Sequence, residues 1–311
     1  MTMLQLVVTE ITEASPQVRT LTLARPDRAS LPSFTPGSHL VLECGPSVNA
    51  YSLLGDSRMP SAYTISVLKL GAGRGGSRWL HERSPGDMVT VRPPRSMFPP
   101  MQKARKHLLI AGGIGVTPIL SHLRAAARWG HQTEVLYSHR PGHGTHLDEL
   151  RQLAPESLRC FTRRSEFHAA LQESLGRQPI GTHLYCCGPE SFMDTVCRSA
   201  EEFGWPEGRI HTERFGADAL DPGAPFEVVL RDSQRTVTVE PGRSLLEVLE
   251  ETGISVPNLC RQGFCGECRI PVTAGTPLHR DHYLEDQEKA ADDSLMCCVS
   301  RAQTDSLEVP L

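Results

Sequence analysis

The sequence predicts a multidomain protein with an antiparallel β-barrel or sandwich, an α/β domain with a parallel sheet, and a third domain that carries clustered cysteines. Strand-like segments separated by turns fill the first hundred residues. Strands alternate with helices in the middle of the chain, and three cysteines fall within nine residues near its end. The 311 residues are enough for two or three separate cores.

The all-β domain is expected over residues 1–102. Its predicted strands are QLVVTEI, VRTLTLA, SHLVLEC, AYTISVLKL and MVTVRPP, which are rich in Val, Ile, Leu and Thr and are separated by Pro- and Gly-containing turns. Evenly spaced strands of this kind are typical of an antiparallel barrel or sandwich. One short helix is predicted at SRWLHER.

The α/β domain is expected over residues 103–222. KHLLIAGG, TEVLYSH, LRCFT and HLYCC are predicted as strands, and TPILSHLRAAARWG, THLDELRQL and SFMDTVCRSAEEFG as helices. This alternation predicts a parallel, doubly wound sheet that ends near Phe215. The segment GADALDPGAP, residues 216–225, has the composition of a linker.

The third domain is expected over residues 223–311. A hairpin is predicted to turn at residues 232–234, and a helix is predicted to begin after Ser244 and to end at Gly253. This part of the chain holds 8 Lys and Arg against 15 Asp and Glu, whereas the whole chain has a net charge of −4. Such an acidic domain argues against a nucleic-acid partner.

Composition indicates a soluble protein without a membrane partner. Hydrophobic residues make up 39% and charged residues 22% of the chain, and no apolar run reaches the ~18 residues of a spanning helix. The start MTMLQLVVTE has no features of an export signal, so a cytoplasmic location is expected. Ten cysteines in a reducing compartment indicate a metal or redox site rather than disulfides.

The cysteine cluster LCRQGFCGECRIP has the spacing C-x4-C-x2-C, formed by Cys260, Cys265 and Cys268. Plant-type [2Fe–2S] sites use this spacing together with a distant fourth cysteine. Gly263 and Gly266 would let the loop wrap around a cluster, because glycine reaches backbone angles closed to other residues. The alternative is a zinc site, which usually repeats a C-x2-C pair, and only one such pair occurs here.

The segment AGGIGVTP follows a predicted strand and opens a predicted helix. A glycine-rich turn in this context lets a dinucleotide phosphate approach backbone N–H groups and the helix dipole. Taken alone, the segment also fits an ordinary tight turn. Thr117 and Pro118 favour a helix start, because proline is tolerated in the first turn.

Several motifs, in this order, resemble the phthalate dioxygenase reductase family: AYSLL, GRGGS, AGGIGVTP, CGPE, ERF, and CRQGFCGEC with CVSRA. They span nearly the whole chain, and the AYSLL and CC features are most similar to reductases of carnitine- and vanillate-type oxygenases. The resemblance implies a flavin β-barrel that binds FMN, an α/β domain that binds NADH, and a plant-type ferredoxin domain of the β-grasp fold. The implied partner is a Rieske-type oxygenase.

The resemblance also implies the ligands of the cluster. The late cysteine of the family precedes a Val/Ser-Arg stretch, which corresponds to Cys298 in MCCVSRA. The four metal ligands would then be Cys260, Cys265, Cys268 and Cys298. Cys297 would point away and act as a small buried apolar residue.

The flavin residues implied by the resemblance lie in two motifs of the first domain. Tyr51, Ser52 and Leu53 would lie against the flavin, with Ser52 at its reactive N5 edge. The phosphate would be held by the GRGGS motif, whose members are Gly73, Arg74, Gly75, Gly76 and Ser77. The family usually has an arginine where this chain has Asn49, so Lys69, Arg74 or Arg78 is expected to supply the positive charge. Without the resemblance, the two motifs fit an ordinary strand and a hairpin tip.

The nucleotide residues implied by the resemblance are Gly112, Gly113 and Thr117 of the turn, together with Gly188, Pro189 and Glu190 of CGPE. Cys187 would lie near the nicotinamide and Phe215 near the flavin ring, and with Ser52 they form the expected catalytic set. Read alone, Cys187 and Phe215 also fit buried core positions. NADH is favoured over NADPH because SHR, residues 138–140, offers only one arginine for a 2′-phosphate.

The function expected from these features is electron transfer from NADH through FMN and a [2Fe–2S] cluster to a Rieske oxygenase. A similar reductase that feeds a quinone, ferric ion or another small acceptor is an alternative. A non-catalytic protein with structural zinc is another.

Overall fold

The computed structural model describes residues 3–45, 47–71, 75–96, 98–215, 223–258, 263, 266–281 and 283–311. The chain divides into two compact units, Met1–Leu220 and Asp221–Leu311. Among the described residues, every helix is too short or too polar to cross a bilayer. The predicted linker, residues 216–225, lies mostly outside the described residues.

The first unit begins with an antiparallel sheet. Its strands are β1 (Leu4–Ser15), β2 (Val18–Ala24), β3 (Ser38–Cys44), β4 (Ser47–Ser52), β5 (Ala62–Leu68), β6 (Met88–Val91) and β7 (Arg95–Ser96), and helix α1 (Gly76–His81) lies between β5 and β6. The strand order is β4-β3-β6-β1-β2-β5, with β7 paired to β3. A bridge between Leu53 and Ile65 joins the two edge strands and closes the sheet, so of the two predicted arrangements the barrel is confirmed.

Alternation along the strands builds the barrel core. Leu21 and Leu23 of β2 are fully buried, as are Ile65 and Val67 of β5, whereas the residues between Leu21 and Leu23 and before Ile65 are only half-buried. Successive side chains of a strand point to opposite faces, so every second residue enters the barrel.

The second part of this unit is a parallel sheet. Its strands are β8 (Lys106–Gly112), β9 (Gln132–Ser138), β10 (Leu158–Phe161), β11 (Thr182–Cys187) and β12 (Ile210–Glu213), and its helices are α2 (Val116–Trp129), α3 (Leu147–Leu153), α4 (Arg164–Leu175) and α5 (Glu190–Glu202). The strand order is β10-β9-β8-β11-β12. Strand β8 is buried along nearly its whole length, as expected for a central strand covered on both faces.

Two elements of this part of the chain, helix α4 and strand β12, were absent from the sequence prediction. Helix α4 buries Phe167, Ala170, Leu171 and Leu175, which is helical spacing, but its first turn has no side-chain cap to mark the start. Strand β12 has only four residues. The local sequence therefore gave only a weak indication of either element.

The barrel and the parallel sheet share apolar contacts. Leu54, just after β4, and Phe98 pack in one cluster with Leu109 of β8 and with Val116 and Ile119 of α2. The expected boundary near residue 102 therefore falls inside one compact unit.

The second unit contains the remaining elements: β13 (Phe226–Leu230), β14 (Arg235–Val239), α6 (Leu245–Glu251), β15 (Arg269–Pro271), β16 (Pro277–Leu278), α7 (Asp286–Ala290), β17 (Ser294–Met296), β18 (Arg301–Ala302) and β19 (Ser306–Val309). The predicted hairpin is β13–β14, and β19 pairs with β13 in parallel. Ser244 caps α6 through a reciprocal pair of hydrogen bonds with Glu247, which confirms the predicted helix start.

Candidate functional site

A cavity of about 270 Å³ lies in the first unit. It brings together four sequence motifs that are far apart in the chain: AYSLL at β4, the end of GRGGS at the start of α1, AGGIGVTP between β8 and α2, and ERF at the end of β12. Its lining comprises Asn49, Ala50, Tyr51, Ser52, Ser66, Leu68, Leu70, Gly75, Gly76, Ser77, Ile114, Thr117 and Phe215. A larger depression of about 570 Å³, near the first residues of β8 and β9, is lined by none of the predicted site residues.

Two polar atoms of the cavity lining are buried without a hydrogen-bond partner among the described residues. They are the amide oxygen Oδ1 of Asn49 and the hydroxyl of Tyr51. Burial raises the pKa of Tyr51, so its hydroxyl keeps its proton and can donate. Buried polar groups are normally paired, so these atoms fit a cavity that takes a polar ligand.

The start of α1 approaches β4 very closely. A Cβ atom added to Gly76 would lie 2.2 Å from Oδ1 of Asn49, so only glycine fits there. Gly75 precedes the helix with φ of +92°, in the left-handed region. The hydroxyl of Ser77 accepts a hydrogen bond from the backbone N–H of Leu70 at 3.2 Å. These contacts hold Gly75, Gly76 and Ser77 at the cavity wall.

The other predicted flavin residues are placed differently. The side chain of Leu53 is fully buried in the barrel core and does not line the cavity. Lys69 is exposed and is also absent from the lining. Phe215 lines the cavity and is 46% exposed. Gly73 and Arg74 lie outside the described residues.

Three ionisable or polar side chains meet where β11 and β12 end. Ser52 Oγ donates to Oε2 of Glu213 at 3.5 Å, and Cys187 lies opposite Glu213 in the register of β11 and β12. Burial raises the pKa of Glu213 to about 8, although the bond from Ser52 opposes that shift. Burial, followed by the charge of Glu213, raises the pKa of the Cys187 thiol well above its usual value. Cys187 is therefore a thiol rather than a thiolate.

Glu213 was not predicted as a site residue. It belongs to ERF, but the resemblance drew attention to Phe215, two residues later. The available signal was an acidic residue at the end of a strand that reaches the carboxyl edge of the sheet, where ligands bind in such folds.

The two predicted nucleotide motifs are in direct contact. Residues 113–115 form a 3-10 turn between β8 and α2, with Gly113 at φ of +55°. A Cβ on Gly115 would lie 2.3 Å from the carbonyl oxygen of Cys187, and a Cβ on Gly188 would lie 3.0 Å from Cα of Gly112. Thr117 donates its hydroxyl to the carbonyl of Ile114 at 3.0 Å, which fixes the turn from within.

CGPE ends at the start of α5. Pro189 precedes the first residue of that helix, Glu190, whose exposed carboxylate lies 3.0 Å from Nη1 of Arg214. Arg214 also contacts Asp194 of α5 at 3.1 Å. The middle residue of ERF therefore ties the end of β12 to the helix that follows CGPE.

In the second unit, strand pairing brings two predicted ligands together. Cys268 directly precedes β15, and Cys298 lies two residues after β17. These strands pair antiparallel, and the two Sγ atoms lie 3.0 Å apart. Hydrogen bonds with the side chains of Cys297 and Cys298 lower the pKa of Cys268. Cys260 and Cys265 lie outside the described residues.

Cys297 is fully buried in the apolar core of the second unit, as expected, but its thiol contacts Cys268 and so does not point away from it. Its backbone N–H donates to the carbonyl of Cys268 at 3.2 Å, and its carbonyl accepts from Leu246 at 2.9 Å. The first bond joins Cys297 to the residue that precedes β15, and the second joins it to α6.

The cysteine loop depends on its glycines. Gly263 and Gly266 have φ of +75° and +80°, which confirms the prediction that they adopt backbone angles closed to other residues. A Cβ on Gly266 would lie 2.3 Å from Cζ of Tyr283, and one on Gly263 would lie 2.7 Å from a methyl carbon of Val299. At both positions a side chain would therefore meet strain in the backbone and a clash with a neighbour.

Asp281 is a second residue that the sequence prediction missed. It is buried, and its carboxylate accepts from the N–H of Leu284 at 2.9 Å and from the hydroxyl of Ser300 at 3.2 Å. Ser300 is two residues beyond Cys298, and the Cα of Asp281 is the neighbour that a Cβ on Gly263 would meet at 3.0 Å. Asp281 thus ties the cysteine loop to the segment of the late cysteine.

Two family models match parts of the chain. Residues 228–303 match the family model for a 2Fe-2S iron-sulfur cluster binding domain. Residues 87–210 match the N-terminal domain of proteins like the dimethylamine monooxygenase subunit DmmA.

Relatives and solved structures cover nearly the whole chain. The heme-dependent oxidative N-demethylase beta subunit of Ectopseudomonas mendocina is 40% identical, with 96% of each chain covered. The carnitine monooxygenase reductase subunit of Acinetobacter baumannii is 35% identical, covering 98% of this chain and 97% of the relative. The structure of phthalate dioxygenase reductase superposes with a TM-score of 0.64 at 32% identity, covering 99% of this chain and 98% of that one. The chain therefore belongs to the phthalate dioxygenase reductase family of flavin and iron–sulfur oxidoreductases.

Proposed function

We propose that this protein is the reductase component of an oxygenase system, which takes electrons from NADH and passes them through FMN and a [2Fe–2S] cluster to a Rieske-type oxygenase. The observation that carries the proposal is the cavity of the first unit, where AYSLL, the start of α1, the glycine-rich turn and Phe215 meet. The contact between the Sγ atoms of Cys268 and Cys298 in the second unit supports a [2Fe–2S] cluster as the group from which electrons leave the protein.

FMN fits the cavity on two grounds. The unpaired Oδ1 of Asn49 and hydroxyl of Tyr51 offer hydrogen bonds to a polar ligand, and the start of α1 offers N–H groups to a phosphate. We assign Tyr51 and Ser52 to the flavin ring and Gly75, Gly76 and Ser77 to the phosphate. When bound, a flavin accepts the two electrons of a hydride and can release them one at a time, which a [2Fe–2S] cluster requires.

The residues beside the flavin have distinct roles in this proposal. Ser52 lies on the cavity wall where the reacting edge of the flavin would sit, and its hydrogen bond to Glu213 orients its side chain. Cys187 and Gly188, in contact with the glycine-rich turn, form the floor under the nicotinamide. Phe215 lines the cavity and would lie near the flavin ring.

Four cysteine thiolates would bind the [2Fe–2S] cluster, and two of them, Cys268 and Cys298, are within the described residues. The positive φ of Gly263 and Gly266 leaves room for a loop that bends its N–H groups towards sulfur. Asp281 packs against Gly263 and is itself fixed by hydrogen bonds from Ser300 and Leu284.

The acidic second unit supports a protein acceptor. With 8 basic and 15 acidic residues over 223–311, it would dock on a basic surface of the partner and speed the encounter. A cytoplasmic location agrees with the ten cysteines and the reducing compartment they indicate.

A second candidate acceptor is a heme-dependent oxygenase. The relative with 40% identity is named as the beta subunit of a heme-dependent oxidative N-demethylase, and the DmmA-like match covers residues 87–210. The electron path inside this chain would be the same, and only the docking partner would differ.

Spectroscopy and acceptor assays test the proposal. The purified protein should be red-brown, should contain FMN, iron and sulfide, and should lose its flavin absorption when NADH is added without oxygen. It should then reduce a Rieske oxygenase, and a heme oxygenase in its place would support the second candidate. A colourless protein that holds zinc would contradict both, and reduction of only quinones or ferric ion would favour a small acceptor.

A further inference from the structure

Three exposed arginines follow the carboxyl ends of two adjacent strands in the parallel sheet. Arg140 lies two residues after β9, and Arg163 and Arg164 lie two and three residues after the end of β10. The two strands pair in parallel with Ser138 opposite Phe161, and the N–H of His139 donates to the carbonyl of Phe161 at 3.0 Å. Arg140 and Arg163 are thus each two residues past the last paired residues of the two neighbouring strands.

This edge of the sheet is where the adenosine end of a dinucleotide would lie, a step that rests on the proposed function. In parallel sheets of this kind, the dinucleotide lies across the carboxyl ends of the strands, with its pyrophosphate at the glycine-rich turn. That turn follows β8. Cys187 and Gly188, proposed to lie under the nicotinamide, are at the end of β11, which pairs with one side of β8. The adenosine ribose therefore extends to the other side, over the ends of β9 and β10.

The charge at this edge is basic. Sheets that prefer NAD usually present an acidic residue about 20 residues past the turn, where it binds the ribose 2′-hydroxyl, whereas an arginine accommodates the 2′-phosphate of NADP. The residues that directly follow the two strands are His139 and Arg140 after β9, and Thr162, Arg163 and Arg164 after β10, none of them acidic.

The first carboxylate after these arginines is Glu166. Its Oε1 lies 3.3 Å from Nη1 of Arg163, with side-chain exposures of 52% and 78%. An ion pair this exposed contributes little, so Arg163 can exchange Glu166 for a phosphate group.

We infer that this protein accepts NADPH as well as NADH, and that Arg140, Arg163 and Arg164 bind the 2′-phosphate. The sequence suggested only one basic residue, Arg140, because the other two lie more than twenty positions away. The hydride leaves the nicotinamide end, which is identical in both nucleotides, so the chemistry at the flavin is the same.

Steady-state kinetics provide the first test. The holoenzyme should reduce ferricyanide with NADPH at a kcat/KM at least equal to that with NADH. The double variant Arg163→Gln/Arg164→Gln should lower the ratio of the NADPH to the NADH value by about tenfold or more, since bonds to charged groups are the strong ones. Arg177→Gln is the matched control, because Arg177 is an exposed arginine just past the opposite end of α4.

Binding provides a second test that does not depend on turnover. By calorimetry, 2′,5′-ADP should bind at least about tenfold more tightly than 5′-AMP, and the double variant should lose that difference. Glu166→Gln should strengthen 2′,5′-ADP binding, because it removes the carboxylate that competes for Arg163. This variant also reports on the site if the double variant folds poorly.

The outcomes separate this inference from the proposed function. If NADH bleaches the flavin, NADPH is more than about tenfold poorer and 2′,5′-ADP binds no better than 5′-AMP, the 2′-phosphate site is refuted and the reductase remains. If neither nucleotide bleaches the flavin, the reductase proposal fails, and the binding assay still decides whether the arginines hold a 2′-phosphate.

Discussion

The Ser52 hydroxyl donates a hydrogen bond to the carboxyl group of Glu213, with 3.5 Å between Oγ and Oε2. The two residues lie 161 positions apart, one at the end of a barrel strand and one at the end of a parallel strand. Burial raises the pKa of Glu213 to about 8, so near neutral pH its carboxyl is mostly protonated in the flavin-free protein. The site therefore contains a group that can exchange a proton close to Ser52.

This relationship predicts a pH dependence of stability. Because the folded-state pKa of Glu213 lies above its ordinary value of 4.5, the folded protein holds more protons than the unfolded chain between about pH 4.5 and 8. The contribution of Glu213 to stability should therefore be full below pH 4.5 and should be lost as pH rises to 8, by up to about 5 kcal/mol. Urea unfolding of the flavin-free protein at several pH values measures this.

Glu213→Gln is the comparison for that experiment. Glutamine cannot ionise, so the variant should lack this part of the decline, and its stability relative to the native protein should increase with pH. Parallel curves for the two proteins over pH 5 to 8 would show that Glu213 has an ordinary pKa.

The contact between Gly76 and Asn49 predicts a steric effect on flavin binding. Gly76→Ala would place a Cβ 2.2 Å from Oδ1 of Asn49, which must then move into the cavity. FMN binding should weaken by about tenfold or more, since overpacking costs ~1–3 kcal/mol. Fluorescence titration of the flavin-free protein with FMN gives the dissociation constant.

Two further variants control this prediction. Gly71→Ala adds a methyl group at an exposed position with nothing within 4 Å of its Cβ, so it should bind FMN normally. Asn49→Ala combined with Gly76→Ala removes the clash and should recover part of the affinity. If Gly76→Ala alone binds FMN as tightly as the native protein, the start of α1 does not hold the phosphate.

The adjacent residues Cys297 and Cys298 should respond differently to substitution by alanine. Cys298→Ala should lose the visible absorption and the iron of the cluster, because Cys298 has its Sγ 3.0 Å from that of Cys268. Cys297→Ala should keep the cluster and lose some stability, because it leaves a small gap in the apolar core. Iron analysis with absorption spectra distinguishes them, and the opposite pattern would move the fourth ligand to Cys297.

The division into two units predicts that they can be separated. A chain that ends at Pro222 retains the whole unit Met1–Leu220, with its barrel, its parallel sheet and the cavity. It should bind FMN and reduce ferricyanide with NADH at close to the rate of the full chain. It should not reduce cytochrome c or an oxygenase efficiently, because the cluster is absent.

Both acceptors should be assayed with the full chain and with the shortened chain. If the shortened chain supplies protein acceptors at the full rate, electrons leave directly from the flavin and the cluster has another role. If it fails to bind FMN, the two units are not independent in folding.

The sequence by itself determined the features that depend on neighbouring residues. The composition of VRTLTLA between two turns indicated a strand, and Ser244 before an apolar segment indicated the start of a helix. The C-x4-C-x2-C spacing indicated a [2Fe–2S] loop, and Gly263 and Gly266 have the backbone angles that such a loop needs. These signals are local, because periodicity, capping and glycine geometry act within a few residues.

Only the tertiary structure decided the features that depend on long-range pairing. The bridge between Leu53 and Ile65 chose a barrel over a sandwich, and β12 carried Glu213 to Ser52. The pairing of β9 with β10 put the segments that carry Arg140 and Arg163, 23 positions apart in the chain, at the same edge of the sheet. Hydrogen bonds between distant strands set these neighbours, and a local pattern shows that a strand exists but not which strand lies beside it.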